Sequence, residues 1–142
     1  MEQIVPFLNR PVIKVVTGMR RVGKSTLLNQ IRALLIARGV PEDRIVFINK
    51  DLLTWDHVRT YRDLDIAVGD ALRDGTGQGY ILVDEIQEIE QWERAVTSFL
   101  AEGLGDIIIT GSNANLLSSE LSTRLTGRYI EIHMLPLGLQ EF

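Results

Sequence analysis

Between residues 18 and 25 the chain reads Gly18-Met-Arg-Arg-Val-Gly-Lys-Ser25, a full match to the pattern G-x-x-x-x-G-K-[ST]. Glycines at these places let the backbone bend so that successive N–H groups face a phosphate, and a helix starting there adds positive potential. Lys24 then reaches the β- and γ-phosphates of a nucleotide, and the Ser25 hydroxyl is placed to ligate Mg²⁺. The contacts expected around the phosphates run through Gly18, Arg20, Arg21, Val22, Gly23, Lys24, Ser25 and Thr26. Arg20 and Arg21 read equally as phosphate contacts, contacts to a neighbouring subunit, or solvated loop arginines. The competing reading of the whole segment is a glycine-rich strand–helix turn with a stray lysine. Its context argues against that: a β-branched run precedes it and a helical pattern follows.

A second chemical signal is Tyr80-Ile-Leu-Val-Asp-Glu85, an apolar run ending in two carboxylates. In a parallel sheet, ligands bind outside the carboxyl ends of the strands. Asp84 there would share the Mg²⁺ shell with Ser25, and Glu85, one residue on, would orient or deprotonate an attacking water. Alone, a strand ending in Asp-Glu is more often a capped turn. Placed some 60 residues after a phosphate loop, it corroborates the loop. Glu88, Glu90 and Glu93 read as the exposed start of a helix, where negative charge suits the dipole.

Ile107-Ile-Ile-Thr-Gly-Ser-Asn113 ends another apolar run in small polar residues. Ser112 or Asn113 could position the water, or Asn113 or Asn115 could simply cap the next helix. Arg124 and Arg128 flank Leu-Thr-Gly. An arginine facing the γ-phosphate of a neighbouring protomer is worth ~10³–10⁵ in rate, although a surface arginine without a role is the usual case.

These residues must be held by elements of two alternating kinds. Strands are expected at Val12–Thr17, Arg44–Ile48, Tyr80–Val83, Asp106–Thr110 and Tyr129–Leu135. Between them, helices are marked by Leu27, Leu28, Ile31, Leu34 and Leu35 over Lys24–Arg38, and by Leu64, Ala67, Val68, Ala71 and Leu72, with Gly69 as a weak point. Further helical stripes are Trp92, Ala95, Val96, Phe99 and Leu100, and then 116–125. Alternation of this kind predicts parallel βαβ units. Nearly continuous apolar strands predict a sheet buried on both faces. The expected fold is α/β, a three-layer α/β/α P-loop core on a mostly parallel five-stranded sheet.

Composition narrows the class. The 142 residues, 45% hydrophobic and 24% charged, fit one globular domain, residues 1–142, and exclude disordered, collagen-like and coiled-coil chains. A net charge of −4 is not the basic footprint of a domain that grips nucleic acid non-specifically. There are no cysteines, hence no disulfide framework, thiolate zinc site or cysteine nucleophile. No signal peptide is evident, and no run approaches the ~20 apolar residues of a membrane span. A cytoplasmic protein is expected.

Taken together, the motifs resemble the AAA+ branch of P-loop ATPases: GMRRVGKS as Walker A, YILVDE as Walker B and TGSN as sensor 1. More narrowly, VVTGMRRVGKSTLL, ILVDEIQ, IITGSNANLL, LTGR and MLPLGLQEF resemble a prokaryotic family of two-part ATPases, with an N-terminal AAA+ domain of about this size before a C-terminal domain. The resemblance implies ATP and Mg²⁺ binding with hydrolysis. By motif it carries phosphate and metal roles to Lys24 and Ser25, and metal and water roles to Asp84 and Glu85. Sensor 1 falls on Ser112 with Asn113 second, and an arginine finger between homo-oligomer subunits on Arg128 or Arg124. The resemblance would continue past Phe142 into a helical lid and the C-terminal domain, so the chain is expected to be the ATPase core of a longer protein or a shortened gene product.

Three classes compete: an ATPase, a nucleotide-gated switch with little or no hydrolysis, and a small-molecule kinase. The kinase reading lacks a segment after Val83 that reads as an arginine-bearing lid. Asn49-Lys-Asp51 imitates the guanine-reading N-K-x-D, but Leu52 occupies the aspartate's place. Gly75-Thr-Gly-Gln-Gly79 lies before a strand and reads as a loop. His57 and His133 lack metal-ligand company.

Overall fold

Val, Ile, Leu and Thr dominate five short runs, and each becomes a strand. In a computed structural model, described over residues 5–8, 10, 12–18, 23–112 and 128–133, these are β1 (Ile13–Thr17), β2 (Ile45–Asn49), β3 (Tyr80–Asp84), β4 (Asp106–Gly111) and β5 (Tyr129–His133). The described helices are α1 (Lys24–Ala37), α2 (Tyr61–Leu72) and α3 (Trp92–Glu102). The helix expected over 116–125 and the end of the fifth strand, from 134 onward, lie outside the described residues.

The strands form one sheet in the order β2-β3-β4-β1-β5, and every described pair is parallel. Side-chain alternation splits the core in two. Ile13 and Val15, Val46 and Ile48, Ile81 and Val83, and Ile107 and Ile109 face α2 and α3. Val16, Ile45, Leu82, Ile108 and Ile132 pack instead with Leu27, Leu28, Ile31 and Leu35 of α1. Because strand side chains alternate with period 2, a sheet covered on both faces needs apolar residues at consecutive positions.

Local signals set the helix ends. At the end of α1, Gly39 N–H bonds to Ile36 O at 3.0 Å and Val40 N–H to Leu35 O at 3.0 Å, a Schellman pattern. Thr60 and Asp63 form a capping box at the start of α2. Of the three glutamates expected to open a helix, only Glu93 lies in the first turn of α3. Glu88 ends a 3₁₀ turn, and Glu90 bridges Thr60 through its backbone. Gly69 is buried within α2, where the Arg73 guanidinium lies across it on its way to Asp65 and Glu102.

The sheet carries one buried ion pair that the apolar pattern conceals. Lys14 of β1 bonds to Asp106 of β4 with both side chains fully buried, and its Nζ also donates to Arg10 O at 2.8 Å. Burial pushes the Lys14 ammonium below its ordinary value, against the upward pull of Asp106. The pair lies at the amino end of β4, away from the loops that follow the strands.

Candidate functional site

The order β2-β3-β4-β1-β5 places β4 between β1 and β3, so the segments after these three strands share one stretch of the sheet's carboxyl edge. The register Val83↔Ile109 brings Asp84 level with Thr110. Alternation through Tyr80 and Leu82, and through Ile108, points both toward the α1 face. There α1 begins at Gly23, whose φ of 92° is left-handed, with no side-chain cap on the first turn. A β-carbon is costly in that conformation, so glycine is the residue that lets the loop enter the helix this way. The uncapped N–H groups of a first turn are anion donors.

Six polar side chains converge on this edge. The Ser25 hydroxyl donates to Asp84 Oδ2 across the gap between α1 and β3. Thr110 donates its hydroxyl hydrogen to Asp84 Oδ1 and accepts the Glu85 N–H at 3.0 Å. Lys24 Nζ donates to Gly18 O at 3.0 Å, spanning the loop from end to start, and stands 3.9 Å from Glu85 Oε2. Ser112, just past β4, donates to Glu85 Oε1 at 3.0 Å. Lys24, Asp84, Glu85 and Thr110 are all buried, at 3%, 0%, 4% and 0% exposure. Water therefore screens these charges poorly.

Glu85 has an unusual backbone. Its φ of 58° and ψ of 51° place a non-glycine residue in the left-handed region. Such a residue costs of order 1–3 kcal/mol and persists where its surroundings fix it. Here the Thr110 hydroxyl holds its N–H while Ser112 and Gln87 hold its carboxylate.

The family model for the AAA domain matches residues 10–142. This chain belongs to that family. Its AAA domain is 39% identical over 142 residues to an uncharacterized protein of Haemophilus influenzae, covering 100% of this chain and 36% of that protein. It is 30% identical over 135 residues to an uncharacterized protein of Methanocaldococcus jannaschii, covering 92% and 28%. The chain thus spans about a third of the length of the curated relatives it matches. Among solved structures, the DNA polymerase III gamma subunit-related protein of Thermotoga maritima matches with a TM-score of 0.61 at 11% identity, over 94% of this chain and 44% of that one. C. elegans PCH-2 matches with a TM-score of 0.54 at 18% identity, over 94% and 37%. These likenesses carry the fold, an α/β P-loop architecture. Membership of the family implies nucleotide binding, with ATPase activity as the reaction it points to.

Of the site residues expected in this AAA domain, Gly18, Gly23, Lys24, Ser25, Asp84, Glu85 and Ser112 lie at one sheet edge. Thr26 is exposed on the first turn of α1. Arg128 is exposed just before β5, where its carbonyl accepts Ile13 N–H at 2.9 Å. That is the amino edge of the sheet, opposite Gly18, Lys24 and Ser25. Arg20, Arg21, Val22, Asn113 and Arg124 lie outside the described residues. His57 stacks on Trp55 and His133 faces Thr17 Oγ1 at 3.1 Å. Lys50, in the false guanine motif, donates to the Trp55 and Val58 carbonyls and closes its own loop.

Sequence reasoning missed Thr110 and Gln87. Thr110 becomes visible only when β4 is known to neighbour β3. Gln87, one turn past the acidic pair, carries no spacing signal.

Among the described residues no group of three or more His, Cys, Asp or Glu could hold a metal. The donor set nevertheless suits Mg²⁺, which takes one or two protein oxygens and completes its shell with phosphates and water. Ser25 and Asp84 offer hard oxygens already in mutual contact, and the buried cluster sets the carboxylates of Asp84 and Glu85 against the ammonium of Lys24. No described helix is long and apolar enough to cross a membrane.

Proposed function

We propose that this AAA domain binds ATP with Mg²⁺ and hydrolyses it, as the motor or switch module of a longer protein. The observation that carries the reading is the convergence of Lys24, Ser25, Asp84 and Glu85 on one edge, with Ser25 bonded to Asp84 and Lys24 3.9 Å from Glu85. Ser25 and Asp84 would hold Mg²⁺, which when bound neutralises charge on the phosphate oxygens. Lys24 turns from Gly18 O to the β- and γ-phosphates and stabilises the charge that builds there. Glu85 accepts a proton from the water that attacks the γ-phosphorus, the bond to the β,γ-bridging oxygen breaks, and ADP and phosphate leave. Ser112 fixes the carboxylate that takes the proton.

Arg128 stands at the far edge from its own loop, so in our reading it, or Arg124, serves a neighbouring protomer. Arg20, Arg21, Val22, Thr26 and Asn113 remain in the proposal as contacts around the nucleotide. With a net charge of −4, we assign this domain no nucleic-acid surface, although the Drosophila ORC that shares its fold, at a TM-score of 0.59 and 10% identity over 93% of this chain and 52% of that one, is bound to GC-rich DNA. We place the protein in the cytoplasm.

The test is the rate of ATP hydrolysis per protomer across protein concentration, with Mg²⁺. A rate that climbs with concentration supports a site completed between subunits. A flat, near-zero rate, with ATP still bound, overturns hydrolysis by this domain alone in favour of a nucleotide-gated switch. Lys24→Ala should abolish nucleotide binding, and Glu85→Gln should keep binding while losing turnover. Turnover by Glu85→Gln at the parent rate would remove Glu85 as the base.

A further inference from the structure

Gln87 lies in the 3₁₀ turn Ile86–Glu88, two residues beyond Glu85, and folds back over it. Its Nε2 donates to Glu85 Oε1 at 2.5 Å and makes a longer contact of 3.5 Å to Ser112 Oγ. The same Glu85 oxygen takes the Ser112 hydroxyl at 3.0 Å. Two donors thus hold Oε1, and the other oxygen, Oε2, faces Lys24. The Gln87 amide cannot be reversed in this setting, because its carbonyl would then meet a carboxylate oxygen.

In that orientation the Gln87 Oε1 atom is buried and has no hydrogen-bond partner among the described residues. Leaving an acceptor unsatisfied costs about 1–3 kcal/mol, so this is not an arrangement that packing alone favours. The contact that offsets it is the charge-assisted bond to Glu85.

We propose that Gln87 is a positioning residue for Glu85, clamping Oε1 together with Ser112 so that Oε2 is the oxygen presented to the reacting water. The inference rests on Glu85 being the base. Gln87 acts through Glu85 and stabilises the geometry of proton transfer. It adds nothing to the grip on ATP.

The experiment uses the full 142-residue chain and two kinds of readout. In ¹⁵N-correlated NMR of the nucleotide-free protein, the Gln87 side-chain amide is identified by its loss in Gln87→Met. One of its protons should lie well downfield of a free glutamine amide and return to the free position in Glu85→Ala. In steady-state kinetics, Gln87→Met should lower kcat by about 10–100-fold, part of the ~10²–10⁴ a general base supplies, with KM for MgATP within about twofold. In single-turnover measurement of the residual rate left by Glu85→Gln, the same substitution should cost nothing further, because a residue acting through Glu85 has lost its target.

An amide at the free-glutamine position overturns the clamp whatever the turnover. So does a loss of rate in Gln87→Met that recurs by the same factor on the Glu85→Gln background. A parent with no turnover removes the hydrolytic reading, and the amide resonance still decides the clamp. Gln87→Leu, which keeps most of the volume and loses the donor, replaces Gln87→Met should that variant fail to fold.

Discussion

Replacing Thr110 by valine removes one hydroxyl and almost no volume, at a fully buried position where that hydroxyl makes two bonds. Its hydrogen goes to Asp84 Oδ1, and its oxygen accepts the Glu85 N–H at 3.0 Å. Valine leaves a buried backbone N–H without an acceptor, at about 1–3 kcal/mol. It also deprives a buried carboxylate of a charge-assisted bond, at about 1.5–3 kcal/mol. Allowing for the apolar methyl gained, Thr110→Val should cost about 3–4 kcal/mol out of a total of roughly 5–15. For a urea slope near 2 kcal/mol/M, the unfolding midpoint falls by about 1.5–2 M. Turnover should fall further than stability implies, because the lost bond also fixes the left-handed backbone that aims Glu85. Thr110→Ser keeps the hydroxyl and should recover most of both. A Thr110→Val midpoint within about 0.5 M of the parent, or a Thr110→Ser variant equally impaired, would refute the reasoning.

Other perturbations test the frame around the site. Asp106→Asn leaves Lys14 charged and buried without its counter-ion and should destabilise by about 3–5 kcal/mol in urea unfolding. The double change Lys14→Met with Asp106→Leu should be neutral or better, as replaced buried pairs commonly are, since no charge is left unpaired. Gly105→Ala would put its new carbon 2.6 Å from the Gly79 carbonyl oxygen, where β3 and β4 begin. Backbone cannot step aside as a side chain can, so thermal unfolding should register a loss of about 1–3 kcal/mol or more. The Asp63 carboxyl is held below its ordinary value, first by accepting the Arg59 and Thr60 N–H bonds. Its contribution is therefore full above the ordinary value of 3.8 and is lost as pH falls through the folded value. Asp63→Asn should be less stable than the parent at neutral pH, with the gap closing in acid, read from urea midpoints along a pH series.

The elements of this fold were legible because burial on both faces writes long apolar runs. Ile81, Leu82 and Val83 need no period to announce a strand, and Leu27, Leu28, Ile31 and Leu35 announce a helix by their spacing. The glycine-lysine-serine motif and the acidic pair stand out in the sequence because each is local: a few neighbouring residues carry the whole pattern. What escaped was made by contacts between distant residues. Lys14 and Asp106 lie 92 positions apart, and each looks like a polar interruption until β1 and β4 are known to be neighbours. Thr110 stands 26 positions from Asp84 and acquires a role only through the strand register. Gln87 is close to Glu85 in sequence, but only the left-handed turn at Glu85 brings the amide back over the carboxylate.

Lys24 is bonded to the carbonyl of Gly18 and faces Glu85. Its ammonium has three donor hydrogens, and the Gly18 carbonyl already takes one of them. A ligand that draws Lys24 away must first outcompete an internal carbonyl, which disfavours small anions with few contacts and favours a long polyphosphate.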